Sequence, residues 1–440
     1  MKENSFLINL FARLNGENIH YSVLRNYKLL PKSCGGSDLD LWVAEKDIER
    51  CILVLQNVAR KTGANLVSYT SGDFCPKYCF LSVDEGVQID LFKGVIICKG
   101  KTLFEEDVII KYTKDYNGIK VLDDRLGDLM ALLKEILNNG RCDQKYISPL
   151  YENKEAYDVQ YLNRILTVFS NVFRNAIYEA IVNENIEEVT SVLTKLGRKD
   201  LRITGRGNVF QKAVNLKRIF KPTGYTVAVL GTDGSGKSFI INSITPILNE
   251  AFHKGVKYEH MRPNLIPSIA VLTGRKDKNE RVEVCSNPHA SKPSGFIGSL
   301  VRLSYYWIDY TWGYFRKVYL DKTFKSHVWI FDRYYYDYYI DQTRSGIKLP
   351  SWIVKFYGLS VPSPDITICL GGDPQKIYER KPETSLEEVQ RQTYILKKFA
   401  ESHKATVWVD TTVKPEESIS ASMRYIVDMM GTRYKDTVIL

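Results

Sequence analysis

No apolar run in the 440 residues approaches the roughly 18 that a membrane-crossing helix needs. A membrane-crossing helix is therefore not expected. The eight cysteines (Cys34, Cys51, Cys75, Cys79, Cys98, Cys142, Cys285 and Cys369) include no CxxC pair. Zinc frameworks need such spacings, and Cys75 with Cys79 is a poor one, so reduced and mostly buried thiols are expected. Bias towards disorder is also missing, since hydrophobic residues make up 44% and charged residues 25% of the chain. The first stretch, MKENSFLINLFARLNGEN, sets Lys2, Glu3 and Arg13 around a short apolar run. It reads as an amphipathic helix and not as a signal peptide, and the expected location is cytoplasmic.

What is abundant is positive charge, a net +10 with a pI near 8.9. Nucleotides, phosphosugars, nucleic acid and acidic membrane surfaces are all suitable partners, and a merely solvated basic surface fits as well. At about 150 residues per domain, this length gives two or three domains, with two as the working number.

Short β-rich runs in residues 20–100 (HYSVL, DLDLWV, VQIDLF, GVIIC) surround the helical spacing of EKDIERCILVLQNVAR, which predicts a small α/β unit. Residues 121–200 then turn helical, in RLGDLMALLKEILNN and AYDVQYLNRILTVFSNVFRNAIYEAIV, as a cap on that unit. No internal repeat is present. A stretch crowded with Lys and Arg, RKDLRITGRGNVFQKAVNLKRIFK, precedes Pro222-Thr223-Gly224 and is the candidate boundary, either a solvated connecting helix or a docking surface for phosphates or anionic lipid. Beyond it, YTVAVL, HVWIF, DITICL and ATVWVD are apolar enough to be strands buried on both faces. The second half is expected to be a three-layer α/β domain with a parallel sheet.

Gly231-Thr232-Asp233-Gly234-Ser235-Gly236-Lys237-Ser238 fits GxxxxGK[ST] between the strand TVAVL and the helical FIINSITPILNEAF. Backbone N–H groups and the helix N-terminus there suit phosphates, Lys237 suits the β- and γ-phosphates of ATP, and the Ser238 hydroxyl suits Mg²⁺. The next strand, HVWIF, ends in Asp332-Arg333. A second acid at that point would favour water attack, whereas an arginine favours a phosphate acceptor. An NKxD guanine reader is absent too.

Over about 225–415 the sequence resembles the thymidylate kinase family of P-loop nucleoside-monophosphate kinases, through GTDGSGKS, FDRYYYD, PDITICL followed by QKIYERKPE, and TVWVD. The resemblance implies that Asp332 organises Mg²⁺ and the acceptor, that Arg333 grips the acceptor's phosphate, and that Asp233 contacts an acceptor hydroxyl. Ser235 stands near a position where some members carry arginine, so charge in the transition state is expected to be met from the lid, by Arg380 and Lys381, with Arg391 a weaker third. The family's Arg-Glu-Pro segment has His260-Met261-Arg262-Pro263 as its nearest equivalent, leaving Arg262 for the acceptor without the acid. Asp337 and Asp341, with Arg344 three further on, are expected along one helical face. There they suit hydroxyl-rich or amine-bearing acceptors, or else Asp341 and Arg344 form a local pair. HMRPNLIP, NPHASKPSG, LSYYWIDYTWGYF and DRYYYDYYIDQTR also look like a thymidylate-kinase-like subfamily linked with surface-polysaccharide synthesis. The aromatic helix from Tyr305 to Phe315 serves packing or walls the acceptor pocket.

In GGSDLDLWV, Asp38 and Asp40 alternate along a strand, and Asp90 in VQIDLF offers a third acid. Such a set holds two Mg²⁺ ions for nucleotidyl transfer. Residues 18–100 thus resemble the nucleotidyltransferase superfamily, although Leu24-Arg25-Asn26-Tyr27 stands where that family has Gly-Ser. Active transfer, a degenerate binding or scaffolding domain, and plain strand-end acids remain three readings.

The expected organisation is a nucleotidyltransferase-like α/β domain with a helical cap at 1–205, a basic linker at 206–224, and a thymidylate-kinase-like P-loop kinase at 225–440. The expected partner is a small-molecule phosphate acceptor, with ATP and Mg²⁺ as cofactors. The acceptor is dTMP, another nucleoside monophosphate, or a sugar or polyol phosphate; a homodimer stays open. A nucleic-acid end-processing enzyme has only the basic linker in its favour. A nucleotide-gated scaffold leaves Arg333 without a purpose.

Overall fold

The computed structural model describes residues 5–71, 75–203, 216, 218–267 and 294–435. Most of the basic boundary stretch and of NPHASKPSG lies outside them.

Two sheets organise the chain. The first has seven strands in the order β3-β4-β5-β2-β1-β9-β8, with β1 Tyr21–Val23, β2 Leu39–Val43, β3 Asn65–Thr70, β4 Lys77–Leu81, β5 Gly86–Lys93, β8 Thr113–Tyr116 and β9 Ile119–Leu122. A ribbon of β6 Ile96–Cys98 and β7 Lys101–Phe104 stands beside it. Alternation along β2 sends Leu39, Leu41 and Val43 towards helices α1 (Phe6–Gly16) and α2 (Ile48–Thr62), and Trp42 towards the helical cap led by α3 (Asp124–Asn139). Asp40 shares the Trp42 face. β2 and β5 run parallel with Asp40 opposite Asp90, so backbone register alone brings these two acids together. The cap continues through α4 (Asn171–Val182) and α5 (Ile186–Asp200). The helical stretch breaks between Ile165 and Asn171, where Ser170 caps α4 by accepting from the Phe173 N–H.

The second sheet is parallel, in the order β11-β12-β10-β13-β14, with β10 Tyr225–Gly231, β11 Val256–His260, β12 Val328–Asp332, β13 Ile366–Gly371 and β14 Thr406–Asp410. The four apolar runs are strands, as expected. The fifth, β11, is an edge strand whose sequence VKYEH is too polar to announce itself. Val227, Val229, Ile330 and Ile368 face α6 (Lys237–Ala251) and α9 (Pro415–Thr432), while Ala228, Leu230, Phe331 and Cys369 face α7 (Phe296–Ile308) and α8 (Leu386–Ser402). The chain is therefore mixed α/β with a three-layer parallel-sheet half. α7 continues into a wide π-helical stretch at Asp309–Tyr319.

The two halves share one core. Val67, Cys79 and Leu81 of the first sheet pack in the same cluster as Ile240, Ile244, Leu248, Met423 and Met430, so α6 and α9 lie between the two sheets. Tyr225 Oη donates to the Val67 carbonyl at 2.5 Å and the Met430 carbonyl at 3.0 Å, and Ser68 Oγ donates to the Thr223 carbonyl at 3.0 Å. At Gly86 a Cβ would lie 2.7 Å from the Ala251 backbone nitrogen and closer still to the Ile247 carbonyl, so only glycine lets β5 lie this close to α6.

Candidate functional site

β10 delivers the loop Gly231–Ser238 to the N-terminus of α6. Gly234 (φ 81°) and Gly236 (φ 83°) take the left-handed conformation that turns the loop's N–H groups inward. Lys237 folds back over the loop and donates to the carbonyls of Gly231 at 3.0 Å and Thr232 at 2.9 Å. Burial, and then the charge of nearby Arg333, bring its ammonium down to about 8. The Ser235 hydroxyl is buried without a hydrogen-bond partner among the described residues, and so is Oδ1 of Asp332, whereas Ser238 is exposed at the helix start. Asp332 and Ser238 are the groups that could hold Mg²⁺, and an unanswered buried carboxylate oxygen fits such an ion.

Asp332 closes β12, beside the loop. Tyr258 Oη donates to its Oδ2 at 3.2 Å, and His260 Nδ1 is 3.8 Å from the same oxygen. Burial works against ionisation, but His260 and Lys237 hold this carboxyl below its usual range. Arg333 follows in the left-handed region (φ 71°), a strained position for a side-chain-bearing residue. Its two terminal nitrogens reach Asp337 Oδ2 and Asp233 Oδ1, each at 2.8 Å. Arg344 pairs with the other oxygen of Asp233. Burial would raise Asp233, yet Arg333, Lys237 and Arg344 hold it well below the carboxylate range.

These contacts correct one expectation. The helix after Arg333 is only Asp337–Ile340, so Asp337, Asp341 and Arg344 do not line one helical face. Asp341 terminates that turn and accepts from the Arg344 N–H at 3.2 Å, while the Arg344 guanidinium crosses to the phosphate loop. Asp233 is held by two arginines, Arg333 and Arg344. The sequence missed Arg344 as a site residue because its partner is 111 positions away.

Arg262 is buried, 3.0 Å from Asp309 Oδ2 and with its guanidinium over the Tyr306 ring. The acid lacking after His260 thus comes from the aromatic helix. Asp309 also accepts from the N–H groups of Asn264 at 3.1 Å and Leu265 at 3.0 Å, which fixes the segment after β11. A signal for it existed, since Asp309 is the lone acid in LSYYWIDYTWGYF. The aromatic helix does pack, with Tyr310 edge-on to Tyr334, Tyr335 and Tyr338.

Of the lid cations, Lys381 stands nearest the loop: a Cβ at Gly234 would be 3.2 Å from its Cβ. Arg380 donates to the Thr411 carbonyl at 2.9 Å, and Arg391 to the Ile340 carbonyl at 2.9 Å and to Glu388.

The first sheet gathers Asp38, Asp40 and Asp90, with one carboxylate oxygen of each within 4.8 Å of the others. Two cations already answer them. Arg25 bonds Asp40 and lies 3.8 Å from Asp38, Lys77 bonds Asp90, and Gln88 donates to Asp90 at 3.1 Å. Arg25 and Lys77 each occupy one oxygen, Oδ2 of Asp40 and Oδ2 of Asp90, so a divalent ion held by the three acids would share or displace these cations. Burial pushes the Asp40 carboxyl up against the pull of Arg25. His253, just past the end of α6, is 3.8 Å from Asp38, so the acids face the phosphate-loop helix from its far end.

No family model matches the sequence, and no curated protein matches it. Among solved structures, the chain is similar to thymidylate kinase from Ehrlichia chaffeensis, at 15% identity over 47% of this chain and 98% of that one, with a TM-score of 0.30. It is also similar to thymidylate kinase from Candida albicans, at 16% identity over 48% of this chain and 93% of that one, with a TM-score of 0.33.

Proposed function

We propose that the chain is an ATP-dependent phosphotransferase that moves the γ-phosphoryl group to a small phosphorylated or hydroxyl-rich acceptor. The observation that carries this is Arg333, held 2.8 Å from Asp233 of the phosphate loop and 2.8 Å from Asp337. Arg344, more exposed and on the other oxygen of Asp233, adds a second cation beside the phosphate loop, and such a pair suits an anionic acceptor better than an attacking water.

In this reading Lys237 leaves the loop carbonyls for the β- and γ-phosphates, and the N–H groups of Gly234, Ser235 and Gly236 cradle them. Ser238 and Asp332 hold Mg²⁺, which when bound neutralises charge between the phosphates. Lys381 meets charge on the transferred group from above, while Arg380 fastens the lid to Thr411. Arg333 positions Asp233 and Asp337, and Arg344, the more exposed of the two arginines, exchanges Asp233 for the acceptor's anion. Arg262, fixed by Asp309, borders the same acceptor side. dTMP or another nucleoside monophosphate is the default acceptor, and a sugar or polyol phosphate the alternative. The internal ion pairs at Asp38, Asp40 and Asp90 support a binding or scaffolding first domain over nucleotidyl transfer.

ADP release over a panel of nucleoside monophosphates, sugar phosphates and polyol phosphates tests this. One class is expected to raise ATP turnover, with Lys237→Ala lowering it about 10²- to 10³-fold. ATP binding without turnover across the whole panel would mean a nucleotide-gated scaffold instead.

A further inference from the structure

Two neighbouring helices of the second half turn apolar side chains to water. On α7, Ile297 is 77% and Val301 65% exposed; on the helix Ser351–Gly358, Trp352 is 68% and Phe356 67% exposed, and Leu359 just beyond is 84% exposed. These helices touch along that side. Ser304 Oγ and Tyr357 Oη are 2.9 Å apart, Trp307 Nε1 donates to Ser360 Oγ at 2.7 Å, and the Trp307 and Tyr357 rings meet edge to face. The intervening loop is tied down too, with Ser299 Oγ accepting from the Lys348 N–H at 3.0 Å and Arg302 donating to the Ser345 carbonyl at 3.2 Å. The exposed residues therefore form one fixed surface. Isolated apolar residues on a surface need no explanation, but two adjoining helices that both present them do.

The charge on this surface has one sign. Residues 294–308 and 342–364 contain no Asp or Glu, and they carry Arg302, Arg344, Lys348 and Lys355. Lys348 and Lys355 are exposed and make no ion pair among the described residues. A two-fold contact between copies of the chain would set these lysines against each other with no carboxylate on either helix to answer them. An anionic bilayer surface answers them, and its interfacial zone accepts Trp, Phe and Leu. No described helix is long and apolar enough to cross a membrane, so the contact lies on the surface.

We infer that this face docks on anionic lipid, with Trp352, Phe356, Leu359, Ile297 and Val301 entering the interface and Lys348 and Lys355 against the headgroups. The inference does not depend on the phosphotransfer reading, because none of these residues touches the phosphate loop.

The test is cosedimentation of the full chain with vesicles of phosphatidylcholine alone and of phosphatidylcholine with phosphatidylglycerol, at low and raised salt. Binding is expected only with phosphatidylglycerol, weaker in salt, and about fivefold weaker for each of Lys348→Glu and Lys355→Glu. The triple change Trp352→Ser, Phe356→Ser, Leu359→Ser is expected to lower it more than tenfold while ATP binding stays unchanged. No sedimentation of the wild type, or equal sedimentation of the triple variant, overturns the inference. A dimer in sedimentation equilibrium that the triple variant dissolves also overturns it, in favour of a second copy.

Discussion

Arg333 and Asp233, a hundred positions apart, are joined at 2.8 Å across the mouth of the phosphate loop, and Arg344 holds the second oxygen of the same carboxylate. One acid therefore links the nucleotide loop to both arginines.

The two arginines separate by exposure. Arg333 is 4% exposed with both ends committed, while Arg344 is 23% exposed and reaches Asp233 through its guanidinium. Arg344→Ala is expected to raise the acceptor KM roughly ten- to hundredfold, the worth of one charge-assisted hydrogen bond, with the ATP KM little changed. Arg333→Ala should instead lower kcat and stability together, since it takes from Asp337 its arginine and leaves Asp233 to Arg344. Steady-state kinetics with a fixed acceptor decides, and equal effects on both KM values would refute the assignment of Arg344.

Gly86→Ala tests whether α6 depends on the first sheet. The added methyl would press on the backbone of Ile247 and Ala251. A loss of about 1–3 kcal/mol is expected, together with weaker ATP binding although the site is on the far end of the helix. Urea unfolding and nucleotide titration measure both, and unchanged stability would show that the two surfaces part easily.

At the first sheet's acids, Mn²⁺ is expected to leave the melting temperature of the wild type where it was, because Arg25 and Lys77 already sit on the oxygens. Removing those cations in the double variant Arg25→Ala, Lys77→Ala should let Mn²⁺ raise the melting temperature by a few degrees. Equal stabilisation of wild type and variant would restore the two-metal reading.

Asp365 accepts from Lys322 at 2.9 Å, Arg433 at 2.8 Å and the Thr226 N–H at 2.7 Å, joining β10 to α9. Burial opposes its charge, but Lys322 and Arg433 lower its pKa below the usual value. Because the folded value is depressed, the stability it contributes is present above the unfolded pKa of about 3.9 and is lost as pH falls through the folded one. Asp365→Asn should cost about 3 kcal/mol at pH 7, and the gap from wild type should close on acidification. Thermal unfolding from pH 7 to pH 3 measures it, and a gap independent of pH would contradict the role.

The phosphate loop was legible because all its requirements lie within eight consecutive residues between a strand and a helix. Asp38 and Asp40 were legible on one face because side chains alternate along a strand, and Asp90 as an acid in a second β-rich run, while the register that sets Asp40 opposite Asp90 is non-local. What answers those acids was not, since Arg25 and Lys77 come from separate segments. Asp309 with Arg262 spans 47 positions and Tyr225 with Val67 spans 158, and no periodicity encodes such pairs. The side chains after Arg333 were misassigned for a local reason: the turn ends at Ile340, and a run of tyrosines gives no stop signal.

The sandwiched position of α6 and α9 bears on how this chain is cut and inherited. A fragment beginning at Tyr225 would carry the whole phosphate loop, yet would bare Ile244, Leu248, Met423 and Met430, which Val67, Cys79 and Leu81 now cover. Such a piece is expected to aggregate. The first half is thus half of the floor beneath the phosphate-loop sheet, and gene rearrangements that exchange it must carry a matching apolar surface with them.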